Sequence, residues 1–342
     1  MKRTGSRINI LDTTCRDGMH AMAHQFSVQN VKDIAAALEA AGVDYMEVSH
    51  GDGLAGSSIN YGYGAATDKE WLQAAAESLG NTKLCVMLLP GIGVMEDLEM
   101  AHECGAEMCR VTVHCTEADI TRQHVELTKK LGMHCFGVLM MTHMITPEAL
   151  LGQAKLFEEY GADVVYMMDS AGHLTPEGVR ARVGALVNGL GIPVGFHAHA
   201  NLAMQIPNTL AAIEEGASWI DCTLRGLGAG AGNTPTEVLA AVLDMYGYES
   251  GLNLYKAMDA AEDVLMPIIG DSRRPSIDKA ALTIGYAGVY GSFALHAKRA
   301  AQQFGVDARD ILLECGKRKV VGGQEDIIIE VAIELAGKKA AV

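Results

Sequence analysis

Eight short runs rich in Val, Ile, Leu and Met recur along this chain, and each is followed by a stretch with helical patterning. The runs are Ile8–Leu11, Val43–Val48, Lys83–Leu89, Met108–Val113, His134–Met140, Val164–Met168, Ile192–Phe196 and Trp219–Leu224. The stretches after them are Val28–Ala41, Asp68–Leu79, Val94–Cys104, Glu117–Leu131, Pro147–Tyr160, Pro176–Leu190, Ala203–Glu215 and Pro235–Tyr246. Strands that are apolar on both faces and separated by helices require a parallel sheet, because the crossover helices cover its faces. Eight such units within residues 1–250 predict an α/β fold, a (β/α)8 TIM barrel. An open doubly wound sheet is the alternative, since a sequence does not show closure.

Local signals mark the helix boundaries. Thr146-Pro147-Glu148, Thr175-Pro176-Glu177 and Thr234-Pro235-Thr236-Glu237 each place a capping Thr before a Pro at the first helical position. Glu237 lies three residues after Thr234, which predicts a capping box. Gly42, Gly105, Gly132, Gly161 and Gly216 stand where helices are expected to end. Beyond Gly251 the pattern changes: Leu252–Leu265, Ser276–Ile284, Gly285–Phe304, Asp307–Cys315 and Asp326–Leu335 read as helices. Residues 251–342 are therefore expected to form a small α-helical C-terminal domain after the barrel.

Composition narrows the partners. With 49% hydrophobic residues the chain can bury enough apolar surface to offset its ordering entropy, which excludes disorder. A formal charge of −15, with no basic patch, argues against nucleic acid and anionic membrane. The basic start at Met1–Arg7 runs into an apolar stretch too brief for a signal peptide. The apolar run Leu84–Met95 is broken by Pro90 and two glycines and is too short to span a bilayer. The eight cysteines form no CxxC pair and fall largely within apolar runs, as buried reduced thiols of a cytoplasmic protein do.

Barrel enzymes carry their chemistry at the carboxyl ends of the strands. There the chain offers Cys15-Arg16-Asp17-Gly18-Met19-His20, Ser49-His50, His114, Met141 with His143, Asp169-Ser170, His197-Ala198-His199, and Arg225 with the run Gly226–Asn233. Two histidines at i and i+2 of an extended strand point to one face and can share a metal ion. His197, His199 and Asp17 would supply three facial ligands and leave positions for a chelating substrate, although a bare HxH also occurs as backbone-bonded loop residues. Arg16 could stabilise an enolate or simply pair with Asp17. His20 is a candidate general base or a surface loop residue. No Lys occupies a strand's carboxyl end, which counts against Schiff-base chemistry. Gly51-Asp52-Gly53-Leu54-Ala55-Gly56 matches the dinucleotide fingerprint as a string, but no helix opens there, and it reads as a mobile rim loop. The Gly226–Gly232 run could cradle a carboxylate or form a tight turn, and Asn233 could be a further ligand or an N-cap neighbour. His24, His102, His124, His134 and His296 read as structural residues without partners.

Four segments together resemble the 4-hydroxy-2-oxovalerate aldolase family: Leu11–Ala21, Glu47–Leu54, Phe196–Leu202 and Gly228–Asn233, with Gly285–Ser292 in the helical region as a fifth. The resemblance covers nearly the whole chain. It implies a lyase of oxo acids in which Asp17, His197 and His199 bind Mn²⁺, with Mg²⁺ or Co²⁺ as alternatives. It implies Arg16 as enolate stabiliser, His20 as base, and Ser170 and Tyr290 as substrate contacts beside Arg16, Asp17 and His199. It also implies an acylating acetaldehyde dehydrogenase partner in a hetero-oligomer, a heterotetramer, meeting the helical region. The volatile aldehyde would be channelled to that partner past His20 and Tyr290, within aromatic or sterol catabolism. Cys15 stands where the family commonly has Leu, and Met19 where a small residue is usual; both bear on substrate size rather than on the reaction. An acyl-CoA-dependent synthase or lyase would be expected to carry a cysteine in its glycine loop, and Gly226–Asn233 has none. A catalytically silent barrel subunit is the non-enzymatic alternative, against which the intact Arg16, Asp17, His20, His197 and His199 set argues.

Overall fold

The computed structural model describes residues 7–340, so the basic start at residues 1–6 lies outside the described residues. Eight parallel strands, β1 (Asn9–Asp12), β2 (Tyr45–Glu47), β3 (Lys83–Leu88), β4 (Met108–His114), β5 (His134–Met140), β6 (Val164–Asp169), β7 (Val194–Ala198) and β8 (Trp219–Cys222), follow one another around a closed barrel. Closure is made by β1 on β8, with Ile10 opposite Ile220 and Asp12 opposite Cys222. This settles the choice between closed and open sheets in favour of the barrel. β7 begins after Pro193, later than the apolar run starting at Ile192, because proline has no N–H for the ladder.

The helices are α1 (Gly18–Ala21), α2 (Val28–Ala41), α3 (Asp68–Ala76), α4 (Met95–Glu103), α5 (Arg122–Lys130), α6 (Pro147–Tyr160), α7 (Pro176–Gly189), α8 (Gln205–Glu214) and α9 (Thr236–Tyr246). α1 is a single turn at the exit of β1; the others cover the barrel. Thr146 caps α6 by accepting from the Ala149 N–H at 3.3 Å, as expected. The capping box at Thr234 does not form: the Thr234 hydroxyl pairs with Thr209, and the Glu237 carboxylate accepts from the Arg225 N–H. Tertiary partners for both side chains displace the local motif.

Past Gly251 come α10 (Leu254–Asp259), a π-helical turn (Ala260–Leu265) and α11 (Met266–Ile269). Their buried Ala260, Ala261, Leu265, Met266 and Ile269 join the core between barrel and helices. The remaining helices are α12 (Lys279–Ala287), α13 (Phe293–Phe304), α14 (Ala308–Arg318) and α15 (Asp326–Ala340). They enclose a second core around Val289, Phe293, Ala297, Ile311, Cys315 and Val331. The single helix expected over Gly285–Phe304 is broken, because Gly288 adopts a left-handed conformation (φ +66°) that caps α12. His143 and His173, from the loops after β5 and β6, donate to the carbonyls of Gly288 (3.1 Å) and Gly285 (2.7 Å), which pins the end of α12 over those strand exits. All eight cysteines are free, and among the described residues no helix is long and apolar enough to cross a membrane.

Inside the barrel, Leu11, Tyr45, Cys85, Met108, Phe136, Val138, Val164, Tyr166 and Met168 form an apolar plug. Gly195 on β7 makes room for it: a Cβ there would lie 2.5 Å from ring atoms of Tyr166. Gly195→Ala is therefore expected to lower stability by about 1–3 kcal/mol through overpacking, read as a shift in the urea midpoint at unchanged slope. Asp12, fully buried, accepts from the Thr14 N–H (2.8 Å) and the Thr236 hydroxyl (2.7 Å), which ties β1 to the start of α9. Burial nonetheless pushes its carboxyl up to about 6. The folded chain holds that proton more tightly than the unfolded chain. The stability it contributes is full below the ordinary carboxylate range and is lost as pH rises through about 6. Urea titrations between about pH 4 and 6.5 should show a loss of about 3 kcal/mol in the parent that is absent in Asp12→Asn.

Candidate metal and active site

Asp17 follows β1 on the short turn that opens α1, where the N–H groups of Arg16 and Asp17 bond back to the Thr13 carbonyl. His197 lies in β7 and His199 just past it, so the two-residue period turns both rings to one side, 4.8 Å apart between centroids. With β8 between β1 and β7, the three side chains converge: Asp17 Oδ2 is 3.4 Å from His199 Nε2 and 3.9 Å from His197 Nε2. All three are buried, and each can offer one ligand atom to a common ion. His197 Nε2 is buried without a hydrogen-bond partner. An orphaned imidazole nitrogen beside a carboxylate and a second imidazole is the donor set a divalent cation takes, so these residues fit one.

The second ring nitrogens are committed. His197 Nδ1 lies 2.8 Å from Asp221 Oδ2, and His199 Nδ1 donates to the Asp169 carbonyl at 3.1 Å. Such bonds fix the tautomer with the lone pair on Nε2, facing the site. Asn233 donates through Nδ2 to Asp17 Oδ2, while its Oδ1 is buried and unpaired. Burial alone would raise the Asp17 carboxyl, but Arg16 and the two histidines hold it well below the usual carboxylate range. Burial lowers His197; His199, against the same penalty, is raised by Asp17.

Beneath this cluster lies a buried charge ladder. Arg16 donates through Nε to Glu47 (2.7 Å) and through Nη1 to Asp17 (3.0 Å). Glu47 also meets Arg110 at 3.2 Å, and Arg110 Nη2 is 2.7 Å from Asp221. The Arg110 guanidinium lies 4.7 Å from the centroid of the Tyr166 ring. Arg16 Nη2 is buried and left without a partner. Arg16 is thus both the ion-pair partner of Asp17 and the owner of a free donor beside it. Sequence reasoning missed Glu47, Arg110 and Asp221. The available signal was that β2, β4 and β8, otherwise mostly apolar, each carry a single charged residue.

The other expected residues are less close. His20, on α1, is half-buried and lies against His24 and Asp52 rather than in the Asp17 group. Ser170 follows Asp169, and its Oγ accepts from the Met141 N–H at 3.0 Å. Tyr290, between α12 and α13, sits with its ring 6.3 Å from His114 and 5.7 Å from Phe293. Burial raises its phenol. Cys15 and Met19 are wholly buried in the core between barrel and helices. The glycine run is a set of tight turns. The N–H groups of Gly226 and Leu227 donate back to the Thr223 and Leu224 carbonyls, those of Gly232 and Asn233 to Ala229 and Gly226, and that of Ala231 to Asn201. A Cβ at Gly228 would lie 2.8 Å from Asp17 Oδ2, so the run also lets the backbone pass close to the site. The Gly51–Gly56 segment is a loop, as expected, held by Asp68, which accepts from the His50 and Ala55 N–H groups. His24 is not partnerless: its ring stacks on His50 at 3.7 Å.

Residues 7–264 match the HMGL-like family, and residues 275–337 match the DmpG-like communication domain. The chain is 60% identical over 331 residues to the 4-hydroxy-2-oxovalerate aldolase of Carboxydothermus hydrogenoformans, covering 96% of this chain and 98% of that one. It is 56% identical over 333 residues to the enzyme of the same name from Moorella thermoacetica, covering 97% and 98%. The fold is also that of the carboxyl transferase domain of Rhizobium etli pyruvate carboxylase, at a TM-score of 0.81 and 16% identity over 98% of this chain and 61% of that one.

Arg110 neutralises two buried carboxylates at once; without it Glu47 keeps only Arg16 and Asp221 keeps only a neutral His197. Arg110→Met is expected to lower the unfolding free energy by about 3–5 kcal/mol in urea titration, far more than an exposed ion pair contributes.

Proposed function

The chain belongs to the 4-hydroxy-2-oxovalerate aldolase family and is a carbon–carbon lyase of oxo acids, and on that premise we propose how it works. It splits 4-hydroxy-2-oxopentanoate, or a close homologue, by a divalent-metal-dependent retro-aldol reaction to pyruvate and a short aldehyde such as acetaldehyde. The observation that carries this reading is the buried group of Asp17, His197 and His199 with the unpartnered Arg16 Nη2 beside it.

Asp17, His197 and His199 would hold the cation, Mn²⁺ or alternatively Mg²⁺ or Co²⁺. When bound, it polarises the 2-oxo group of a chelating oxo acid. His20 takes the proton of the 4-hydroxyl. The C3–C4 bond then breaks: C4 leaves as the aldehyde carbon, and the electron pair passes into the enolate of pyruvate. Arg16, held by Glu47 and Asp17, turns its free Nη2 donor to the negative charge that develops on the enolate oxygen. Protonation at C3 completes pyruvate. Ser170 and Tyr290 contact the substrate from the β6 exit and from the helical region.

We assign residues 1–250 to the catalytic barrel and 251–342 to a helical domain that meets an acylating aldehyde dehydrogenase. The DmpG-like match over 275–337 and the exposed Leu282, Tyr286, Leu295 and Ile333 support that partner. Passing the aldehyde directly to the dehydrogenase would keep a volatile product from escaping, in a cytoplasmic pathway that degrades aromatic compounds or sterols.

Pyruvate release from 4-hydroxy-2-oxopentanoate tests the reading. EDTA-treated protein should be inactive and Mn²⁺ should restore it. Asp17→Asn and His199→Ala should each abolish turnover while the far-ultraviolet circular dichroism of the barrel is kept. Turnover that survives chelation, or that both variants retain, would remove the metal from the mechanism.

A further inference from the structure

Beside the Asp17 group lies a second cluster of metal-ligating side chains. His20, His24 and Asp52 each place a ligand atom within 4.8 Å of the others. The His20 and His24 rings stand edge to face at 5.3 Å. Gly51 keeps the space behind them open, since a Cβ there would lie 2.8 Å from a ring carbon of each and 3.0 Å from His20 Nδ1.

His24 is built for a ligand role. It is 7% exposed, and its Nδ1 is buried with no hydrogen-bond partner. Burial, with His50 and His20 nearby, lowers the imidazole and keeps it neutral, so a ring lone pair is free for a metal ion. The ring is held in place although its backbone is left-handed (φ +60°): the His24 N–H bonds Met19 and its carbonyl accepts from Ala65. His50, stacked beneath it, is excluded as a ligand because both its nitrogens are used, Nε2 donating to Gly62 (3.0 Å) and Nδ1 accepting from the Asp52 N–H (3.2 Å).

We propose that His20, His24 and Asp52 form a second divalent-cation site of the zinc class, separate from the Asp17, His197 and His199 site. Two imidazoles and one carboxylate suit zinc better than the harder magnesium or calcium ions. Ligand atoms of a tetrahedral zinc site lie about 3.3 Å apart, so the present spacing needs only a modest inward turn of Asp52 and His20, both half-buried. An ion here takes the lone pair of His20. The consequence for turnover rests on the reading of His20 as the base: occupancy withdraws that base and inhibits.

Elemental analysis of full-length protein equilibrated with Zn²⁺ and freed of unbound metal tests the site without reference to activity. The parent should carry two equivalents. His24→Ala and Asp52→Asn should each carry one, the latter with an isosteric change at a partly exposed position that spares the fold. His199→Ala should also carry one, kept at the second site, and the double variant His199→Ala with Asp52→Asn should carry none. One equivalent in the parent, or two in both His24→Ala and Asp52→Asn, would overturn the proposal. Turnover assayed in parallel should fall as the second equivalent binds. Binding without that fall would uphold the site and count instead against His20 as base.

Discussion

The site depends on a guanidinium buried in the middle of the barrel. Arg110, wholly buried on β4, touches Glu47 from β2 and Asp221 from β8 and lies over the Tyr166 ring from β6. Alternate strands of such a barrel contribute side chains to a common interior layer, and here that layer is polar where most are apolar. It sits next to the apolar plug of Tyr45, Met108, Phe136 and Val164 and beneath the histidines. Each carboxylate that Arg110 neutralises holds one active-site side chain: Glu47 orients Arg16, and Asp221 orients His197. A buried ion pair is weak evidence of net stability, because desolvation of both partners offsets their attraction. Its use here is geometric. It links the Arg16 fork and the His197 tautomer through a single fixed group.

The helical region is joined to this centre by hydrogen bonds and by a small apolar contact in which Ala281 of α12 packs with Ala200 and Ala231. Val289 and Phe293 belong to a separate cluster from the barrel residues, while His143 and His173 reach from the β5 and β6 exits to the carbonyls at the end of α12. Those two bonds fix the start of the segment that carries Tyr290. Gly288, held by one of those bonds, is left-handed and ends α12 two residues before Tyr290. By contrast, Leu254–Ile269 packs its apolar side chains into the barrel's own outer layer.

Much of this was legible in the chain. Strand alternation with helices predicted the barrel, and the two-residue spacing of His197 and His199 predicted a shared face, because both rest on periodicities that tertiary structure seldom overrides. The ladder was not. Arg110 stands in a run that reads as an ordinary buried strand, and its partners come from positions 47 and 221, so nothing local announces the pairing. The capping box at Thr234 failed for a related reason: Thr209 and Arg225, remote in sequence, compete for its two side chains. His24 looked like a stray loop histidine because its neighbours, His50 and Asp52, arrive from the exit of a different strand.

Charge balance explains why so many ionisable groups are gathered in one desolvated place. Arg16 and Arg110 face Glu47, Asp221 and Asp17, and this set carries one net negative charge with both histidines neutral. Nearby Asp169, raised by burial and held by the N–H groups of His173 and Leu174, lies outside this ladder. A lone surplus carboxylate in so dry a site raises the affinity for a cation, since an isolated buried charge is costly. With a divalent cation the balance becomes one positive charge, which matches the single carboxylate of a 2-oxo monoacid. The enolate that forms adds one negative charge at the unpaired donor of Arg16, the group whose remaining nitrogens Glu47 and Asp17 already hold still. A neutral ladder would bind the cation less well. A ladder with a further carboxylate would hold the cation but repel the enolate.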